Sequence, residues 1–298
     1  ITTGSDHLCA ILEYSITVGP NIPSTVCWGR NVHGQVGDGG QGPPTTAPVG
    51  VAFPSGRHAV AISGGGDHTC AVMGNGSVMC WGGNDYGQLG DGSTTERHTP
   101  IFSDLNSGVT AMHSERDLDN DGILNIFDTH TPGSQEGSIY SGATLSLGKH
   151  HGCAVLENGS VSCWGSNYNN WDALGLGGTI PDGSTAVAVS AGGYHSCAIL
   201  GNGSITCWGG EGVYGEAPSD VTMPTGLTAA ALSSGYVHNC AILSDGSVIC
   251  WGHNGVGRAP PSVTLPSGLS AIAVSAGDAH TCAALDDGSV ICWGQSTN

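Results

Sequence analysis

An all-β fold, a β-propeller of six repeated units, is what this sequence predicts. Three observations carry the prediction. Twelve cysteines fall into six pairs. Each pair lies inside a motif that recurs six times. Each motif reads as a tight hairpin preceded by another short strand.

Five of the pairs share one spacing: Cys70 with Cys80, Cys153 with Cys163, Cys197 with Cys207, Cys240 with Cys250, and Cys282 with Cys292. The sixth, Cys9 with Cys27, is wider. An even count with one recurring spacing marks a disulfide framework, and such frameworks persist in oxidising compartments. A zinc reading needs four clustered ligands, usually in Cys-x-x-Cys steps, and the chain has no such step. The expectation is therefore a secreted or cell-surface protein in which each pair is bridged. Each bridge closes a short loop and contributes about 2–3 kcal/mol in the chain-entropy account.

The motif runs from His195-Ser-Cys197-Ala to Cys207-Trp208-Gly209, and again from His280-Thr-Cys282-Ala to Cys292-Trp293-Gly294. All six units open with His-x-Cys-Ala, with Gly152 as the variable residue in one, and all six end in Cys-Trp-Gly. The last three units are stepped by 44, 43 and 42 residues. A fixed period of this length indicates a solenoid, a propeller or an array.

In Cys240-Ala-Ile-Leu-Ser-Asp-Gly-Ser-Val-Ile-Cys250, two apolar runs flank Asp245-Gly246. Pairing the cysteines leaves the three-residue loop Ser244-Asp245-Gly246, which suits a type I turn with Gly246 left-handed. The cysteines then face each other within bridging distance. Upstream lies another strand, as in residues 186–190 and 271–275, ending near Gly192 or Gly277. Downstream lies a Gly- and Pro-rich connection. Several short antiparallel strands per unit make propeller blades.

Composition bounds the rest. The 298 residues include 51 Gly, and 39% are hydrophobic in ordered blocks, which argues against disorder. We read residues 1–298 as one domain with an insert at 113–142. Asp and Glu number 24 against 6 Lys and Arg, a formal net charge of −18. Such a surface repels phosphate backbones, so nucleic acid is not an expected partner. It suits cations, basic proteins or plain solubility. No run of 18 apolar residues spans a membrane. Ile1-Thr2-Thr3 opens straight into a repeat, which predicts a removed leader or an excised fragment.

The repeat resembles that of the regulator-of-chromosome-condensation family. The residues that carry the likeness are Gly66-Asp-His68-Thr-Cys70-Ala71 through Trp81-Gly82, followed by Gly87-Gln88-Leu89-Gly90-Asp91-Gly92. Gly34-Gln35-Val36-Gly37-Asp38-Gly39 repeats that tail, and Tyr214-Gly215-Glu216 and Val256-Gly257-Arg258 are its remnants. The resemblance implies a propeller, and it spans a nuclear exchange factor, secreted β-lactamase inhibitors and surface proteins. The cysteines point to a secreted, disulfide-rich branch. The best-known members have seven blades; this chain has six units.

The 83-residue step from Cys70 to Cys153 holds the insert. Counting from Asp117, oxygen ligands fall at Asp117, Asp119, Asp121, Asn125 and Asp128, at positions 1, 3, 5, 9 and 12, with Gly122 at 6. Ile123 can add its carbonyl. That is calcium-loop spacing, because Ca²⁺ takes six to eight hard oxygens on a tight curve. Asp128 stands in place of Glu, and Thr129-His-Thr-Pro132 stops a following helix, so the loop is similar to thrombospondin type 3 or dockerin loops. The expected cofactor is Ca²⁺.

The six repeat histidines are read as structural, each tying a turn or packing beside Trp, and the Trp of each Cys-Trp-Gly as packing between blades. Trp171, in Asn167-Tyr-Asn-Asn-Trp171, stands outside the pattern as a candidate contact for a sugar or protein. Asn75, Asn158 and Asn202 head Asn-Gly-Ser sequons, which equally suit hairpin turns. No nucleophile elbow, phosphate loop or zinc-protease helix is present.

The chain is thus expected to be a non-enzymatic extracellular structural or interaction protein that binds other protein chains. A soluble binder or inhibitor is the alternative, and a carbohydrate-active propeller comes third. Self-association is also expected. Ile1-Thr-Thr3 aligns with the strand before each hairpin, and the connecting segment is missing across the two termini. An open strand edge there would let copies add head to tail into a filament; a gapped six-unit ring is the alternative.

Overall fold

The computed structural model describes residues 1–12, 25–103, 145–166, 180–210 and 221–295. All regular structure among them is β. The first sheet orders β1 (Thr2–Thr3), β2 (His7–Ile11), β3 (Thr25–Asn31) and β4 (Gly42–Gly50) side by side. The second orders β5 (Ala59–Gly64), β6 (His68–Met73), β7 (Val78–Gly82) and β8 (Arg97–Phe102). The third holds β9 (Leu145–Leu147), β10 (His151–Val155) and β11 (Val161–Gly165).

Three three-stranded sheets follow. They are β12 (Ala186–Ala191), β13 (His195–Leu200) and β14 (Ile205–Gly209); β15 (Ala229–Ser234), β16 (His238–Leu243) and β17 (Val248–Gly252); and β18 (Ala271–Ala276), β19 (His280–Leu285) and β20 (Val290–Gly294). The described residues form two compact units. The first carries β1 to β10 and most of β11; the second carries β12 to β20, together with the turn Asn158–Val161.

Each hairpin forms in the register that the cysteines predict. Cys240 lies opposite Cys250, with Cα atoms 4.1 Å apart and a disulfide joining them. The other bridges are Cys9 to Cys27, Cys70 to Cys80, Cys153 to Cys163, Cys197 to Cys207 and Cys282 to Cys292. All twelve cysteines are thus joined within their own hairpins, and none is free.

The bridges differ in their surroundings, and Cys292, on β20, is exposed. The wide spacing of Cys9 and Cys27 leaves the pairing unchanged, for Cys27 stands directly opposite Cys9 on one side. On its other side Cys27 faces Val49 of β4, and the pairing shifts between Cys27 and Gly29. The Cys153 to Cys163 bridge is lopsided: Cys153 is fully buried, whereas Cys163, on the outer strand β11 of its sheet, is only partly buried.

The hairpin loop is also as read. Gly246 N–H donates to the Leu243 carbonyl at 2.8 Å, and Gly246 sits at φ +80°, the left-handed region that glycine enters without a Cβ penalty. Asp245 Oδ1 accepts from the Ser247 N–H and hydroxyl. Asn75, Asn158 and Asn202 do the same toward Ser77, Ser160 and Ser204. The Asn-Gly-Ser triplets are therefore used as turns.

Two features of the strands depart from expectation. The connections after the first two hairpins contain fourth strands, β4 and β8. Their prolines are tolerated because an edge strand leaves one side without ladder bonds. The first strand of a unit also carries a bulge: pairing shifts between Ala186 and Ala188, Ala229 and Ala231, and Ala271 and Ala273. One extra residue twists the strand locally.

Within each compact unit the first strands of successive sheets run side by side, stitched by hydroxyls. Gly64 N–H donates to Thr2 Oγ1 at 3.1 Å and Leu147 N–H to Ser63 Oγ at 3.1 Å. Ser234 N–H donates to Ser190 Oγ at 2.9 Å and Ala276 N–H to Ser233 Oγ at 2.9 Å. Apolar clusters fill the space between neighbouring sheets. One packs Met73, Met79 and Trp81 with Phe53; another packs Ile199, Ile205 and Val221 with Met223 and Trp251.

Candidate protein-interaction surface

The motif residues divide into a buried set that recurs and a more accessible set that varies. The buried set begins with a turn. In every unit the Gly of Gly-x-x-His donates its N–H to the His carbonyl: Gly4 to His7, Gly65 to His68, Gly148 to His151, Gly192 to His195, Gly235 to His238 and Gly277 to His280. The imidazole folds back over that glycine. A Cβ on Gly65 would stand 2.2 Å from the His68 ring and one on Gly192 2.5 Å from that of His195. The glycine therefore makes room for the histidine.

The histidine then reaches into the next unit. His7 Nε2 lies 2.7 Å from Thr69 Oγ1, His195 Nε2 2.8 Å from Asn239 Oδ1, and His238 Nε2 2.8 Å from Thr281 Oγ1. Thr69 gives its own proton to the Gln35 carbonyl at 3.0 Å, so His7 Nε2 is the donor and Nδ1 is bare. The same logic fixes His238, because Thr281 donates to the Arg258 carbonyl. Burial pushes these rings far below the ordinary imidazole range. His7 falls to about 4 against the opposing pull of Asp67 and Asp6, and His195 and His238 also fall to about 4. They are neutral structural pins, as their repetition implied.

The Gly-Gln-(Leu/Val)-Gly loop receives the next unit's tryptophan. Trp81 Nε1 donates to the Gln35 carbonyl at 2.9 Å, Trp164 to Gln88 at 3.0 Å and Trp293 to Arg258 at 3.1 Å. The final glycine lies under the indole: a Cβ on Gly37 would stand 2.6 Å from Trp81 Nε1. The sequence reading missed the residue that shapes this loop. Asn31, Asn84 and Asn254 each accept, through Oδ1, from the N–H of Val36, Leu89 and Ala259. Its signal is an Asn placed two residues after the Trp-Gly of those units.

The accessible set comprises the residues between Gly and His and those just before the Gly-Gln loop. Within each compact unit these turns sit at one end of the sheets, and neighbouring turns are bonded to one another. Ser5 N–H donates to the Gly65 carbonyl, Gly193 to Gly235 and Tyr236 to Gly277. The platform is held in place while its side chains differ. In the first compact unit it is charged. Arg30 lies 3.2 Å from Asp6 and 3.7 Å from Asp67. Tyr86 leans over His150 with ring centroids 4.5 Å apart, and burial, then Lys149, lowers the affinity of His150 for a proton. Nearby, Glu96 is flanked by His98 and His33, each at 3.1 Å, and those bonds hold its carboxyl below the usual range.

In the second compact unit the platform is aromatic. Tyr194 and Tyr236 meet edge to face with centroids 5.1 Å apart and hydroxyls in hydrogen-bond contact. Gly193 permits this, since a Cβ there would lie 2.7 Å from the Tyr236 ring.

The calcium ligands Asp117 to Asp128 and the Trp171 cluster lie outside the described residues. Among the described residues, no three His, Cys, Asp or Glu side chains are grouped to hold a metal ion.

The chain is similar to known proteins along most of its length. Regulator of chromosome condensation (RCC1) repeats match residues 27–72 and 75–113 in one form, and 59–88, 143–170, 186–216, 229–258 and 271–298 in another. It is 30% identical over 181 residues to the Ultraviolet-B receptor UVR8 of Arabidopsis thaliana, covering 60% of this chain and 31% of that protein. The chain thus spans less than a third of that relative. Yeast RCC1 (Prp20), solved bound to Kap60, superposes with a TM-score of 0.69 at 18% identity, over 98% of this chain and 69% of that one. The ectodomain of the Arabidopsis thaliana receptor kinase ACR4 superposes with a TM-score of 0.58 at 22% identity, over 98% of this chain and 77% of that one. With its paired hairpins, its interlocking histidines and tryptophans, and these matches, the chain belongs to the regulator of chromosome condensation repeat family and has its β-propeller fold.

Proposed function

We propose that this chain is an extracellular, non-enzymatic protein-interaction propeller that recognises partner proteins through its Gly-x-x-His turn platform. One observation carries the reading. The repeated residues are consumed in joining one unit to the next, whereas the residues between Gly and His differ from unit to unit, as Asp6, Asp67, Lys149, Tyr194, Tyr236 and Asp278 show. A rigid platform with variable side chains is what recognition needs. Paired tyrosines supply rigid contact area at low entropic cost.

Protein partners are supported by relatives: yeast RCC1 was solved bound to Kap60, and Prp20p from Saccharomyces cerevisiae with its binding to Gsp1p and histones. An extracellular setting is supported by the six bridges and by the likeness to receptor-kinase ectodomains. Binding of Ca²⁺ by the 117–128 loop and association of copies are further parts of the reading. They rest on the ligand spacing and on the charge of −18, which a bound cation lessens.

The test is an array of secreted and cell-surface proteins probed with the native chain and with a Tyr194→Ala, Tyr236→Ala variant. Expected are one or a few partners whose binding drops at least tenfold in the variant while its melting temperature holds. Partners that bind both equally, or none at all, would refute the platform. Calorimetry of Ca²⁺ binding with and without Asp119→Ala plus Asp121→Ala checks the loop, and native sedimentation with and without a chelator checks association.

A further inference from the structure

In a repeat protein, a position where one unit abandons the pattern is informative. After the Pro-x-Gly turn, three units place an apolar or small residue and then a small hydroxyl residue: Ser184-Thr185, Leu227-Thr228 and Leu269-Ser270. These hydroxyl residues pack against hairpin-turn glycines. A Cβ on Gly159, Gly203 or Gly246 would meet Thr185, Thr228 or Ser270 at 2.4–2.6 Å. The second unit has Arg57-His58 instead.

The backbone turn is unchanged there, with Arg57 N–H donating to the Pro54 carbonyl at 3.1 Å and Gly56 at φ +76°. The side chains are what differ. Arg57, His58, Met73 and Asn75 line an open cleft of about 470 Å³. The guanidinium lies 5.1 Å from the centroid of Phe102, an aromatic ring that is 46% exposed on β8. A ring at that distance attracts the guanidinium through its quadrupole, and the same arginine lines the cleft. The other paired arginines are engaged by carboxylates, Arg30 by Asp6 and Asp67, and Arg97 by Asp91. No carboxylate among the described residues pairs with Arg57. Among the described residues this cation has an aromatic ring and no carboxylate beside it, in a chain with only 6 Lys and Arg.

We propose that this cleft, at the opposite end of the second sheet from the Gly-x-x-His platform, is a binding site for a carboxylate. Arg57 takes the carboxylate through its planar fork of N–H donors. The exposed edge of Phe102, beside the guanidinium, receives the apolar part of the ligand. A cleft of this volume suits a small organic acid or the side chain of an acidic peptide.

The experiment titrates ¹⁵N-labelled native protein with glutarate in one arm and with an acetylated, amidated tri-glutamate peptide in the other. Arg57→Gln and Phe102→Ala are run beside it, with a melting curve for each. Expected is saturable movement of the Arg57, Gly74 and Asn75 signals, with affinity falling at least tenfold in Arg57→Gln and severalfold in Phe102→Ala at unchanged melting temperature. Saturation by both probes identifies a free acid as sufficient; saturation by the peptide alone identifies a peptide ligand. Neither probe binding, or equal binding by Arg57→Gln, would overturn the site without touching the platform reading.

Discussion

Gly152 stands in the third unit at the place from which Thr69 serves His7, and His68 is left with neither ring nitrogen hydrogen-bonded. His68 is fully buried, and its proton affinity falls to about 3, chiefly through burial. A side chain cannot be restored at 152 because its Cβ would meet the Trp164 ring at 2.8 Å. A buried polar group without partners costs about 1–3 kcal/mol. His68→Leu is therefore expected to destabilise less than His7→Leu, by about 1–2 kcal/mol. Urea denaturation with the bridges intact measures the difference; equal losses would mean that the His7 bond to Thr69 contributes nothing.

Stability should fall as the solution is acidified from about pH 6.5 toward pH 4. His7, His195 and His238 have folded values near 4 and His68 near 3, against 6.5 when unfolded. Their folded values are depressed, so the unfolded chain binds more protons in this window. The stabilisation is complete above 6.5 and is lost on the way down. Each such histidine contributes a slope of up to about 1.4 kcal/mol per pH unit. Below that window the carboxylates follow. Burial alone would raise Asp91, but bonds from Ser93, Arg97 and Asn84 outweigh it and hold it low. A pH series of denaturation curves that is flat from 7 to 4.5 would contradict the histidine assignment.

Gly37→Ala and Gly92→Ala form a matched pair. Both glycines have φ +74°, so each substitution carries the strain of a left-handed alanine, about 1 kcal/mol. Only Gly37 also lies under Trp81, with 2.6 Å left for a Cβ, whereas Gly92 faces open space. Gly37→Ala should cost at least about 1–3 kcal/mol more, the usual penalty of overpacking. Thermal melting of both variants decides.

Non-reducing peptide mapping should find each cysteine joined within its own hairpin, and no free thiol. Replacing Cys70 and Cys80 by Ala should lower stability by about 2–5 kcal/mol. Both sulfurs are fully buried in one apolar cluster, so lost packing adds to the lost crosslink. Mild reductant should open the Cys153 to Cys163 bridge before the Cys70 to Cys80 bridge, because Cys163 is only partly buried and thiol exchange depends on access. Timed alkylation and mass spectrometry follow the order; simultaneous opening would contradict it.

The hairpins were legible because the cysteines announced their register and Asp245-Gly246 announced its turn. The roles of histidine and tryptophan were legible as structural, since six copies leave little room for a single active site. Their partners were not. His7 pairs with Thr69, 62 residues away, and no local pattern points across that distance. The strands β4 and β8 were hidden by their prolines, and the bulges near Ala186, Ala229 and Ala271 fall in short Ala-rich stretches with no turn or bulge residue to mark them. The Arg57 cleft escaped because the repeat was read for what it keeps, and Arg57-His58 is a place where it changes.

The Gln35 carbonyl takes two protons, one from Thr69 and one from Trp81, and both donors belong to the following hairpin. A single unit cut from the chain would expose that acceptor at one end and leave its own indole without a carbonyl at the other. The segment that folds is therefore offset from the segment that repeats, straddling two copies of the motif. Duplicating a motif in the gene adds a matching plug and socket together, so such arrays can lengthen without redesign. Excising one module for engineering should instead begin inside one motif, ahead of its Gly-Gln loop, and end after the next Cys-Trp-Gly.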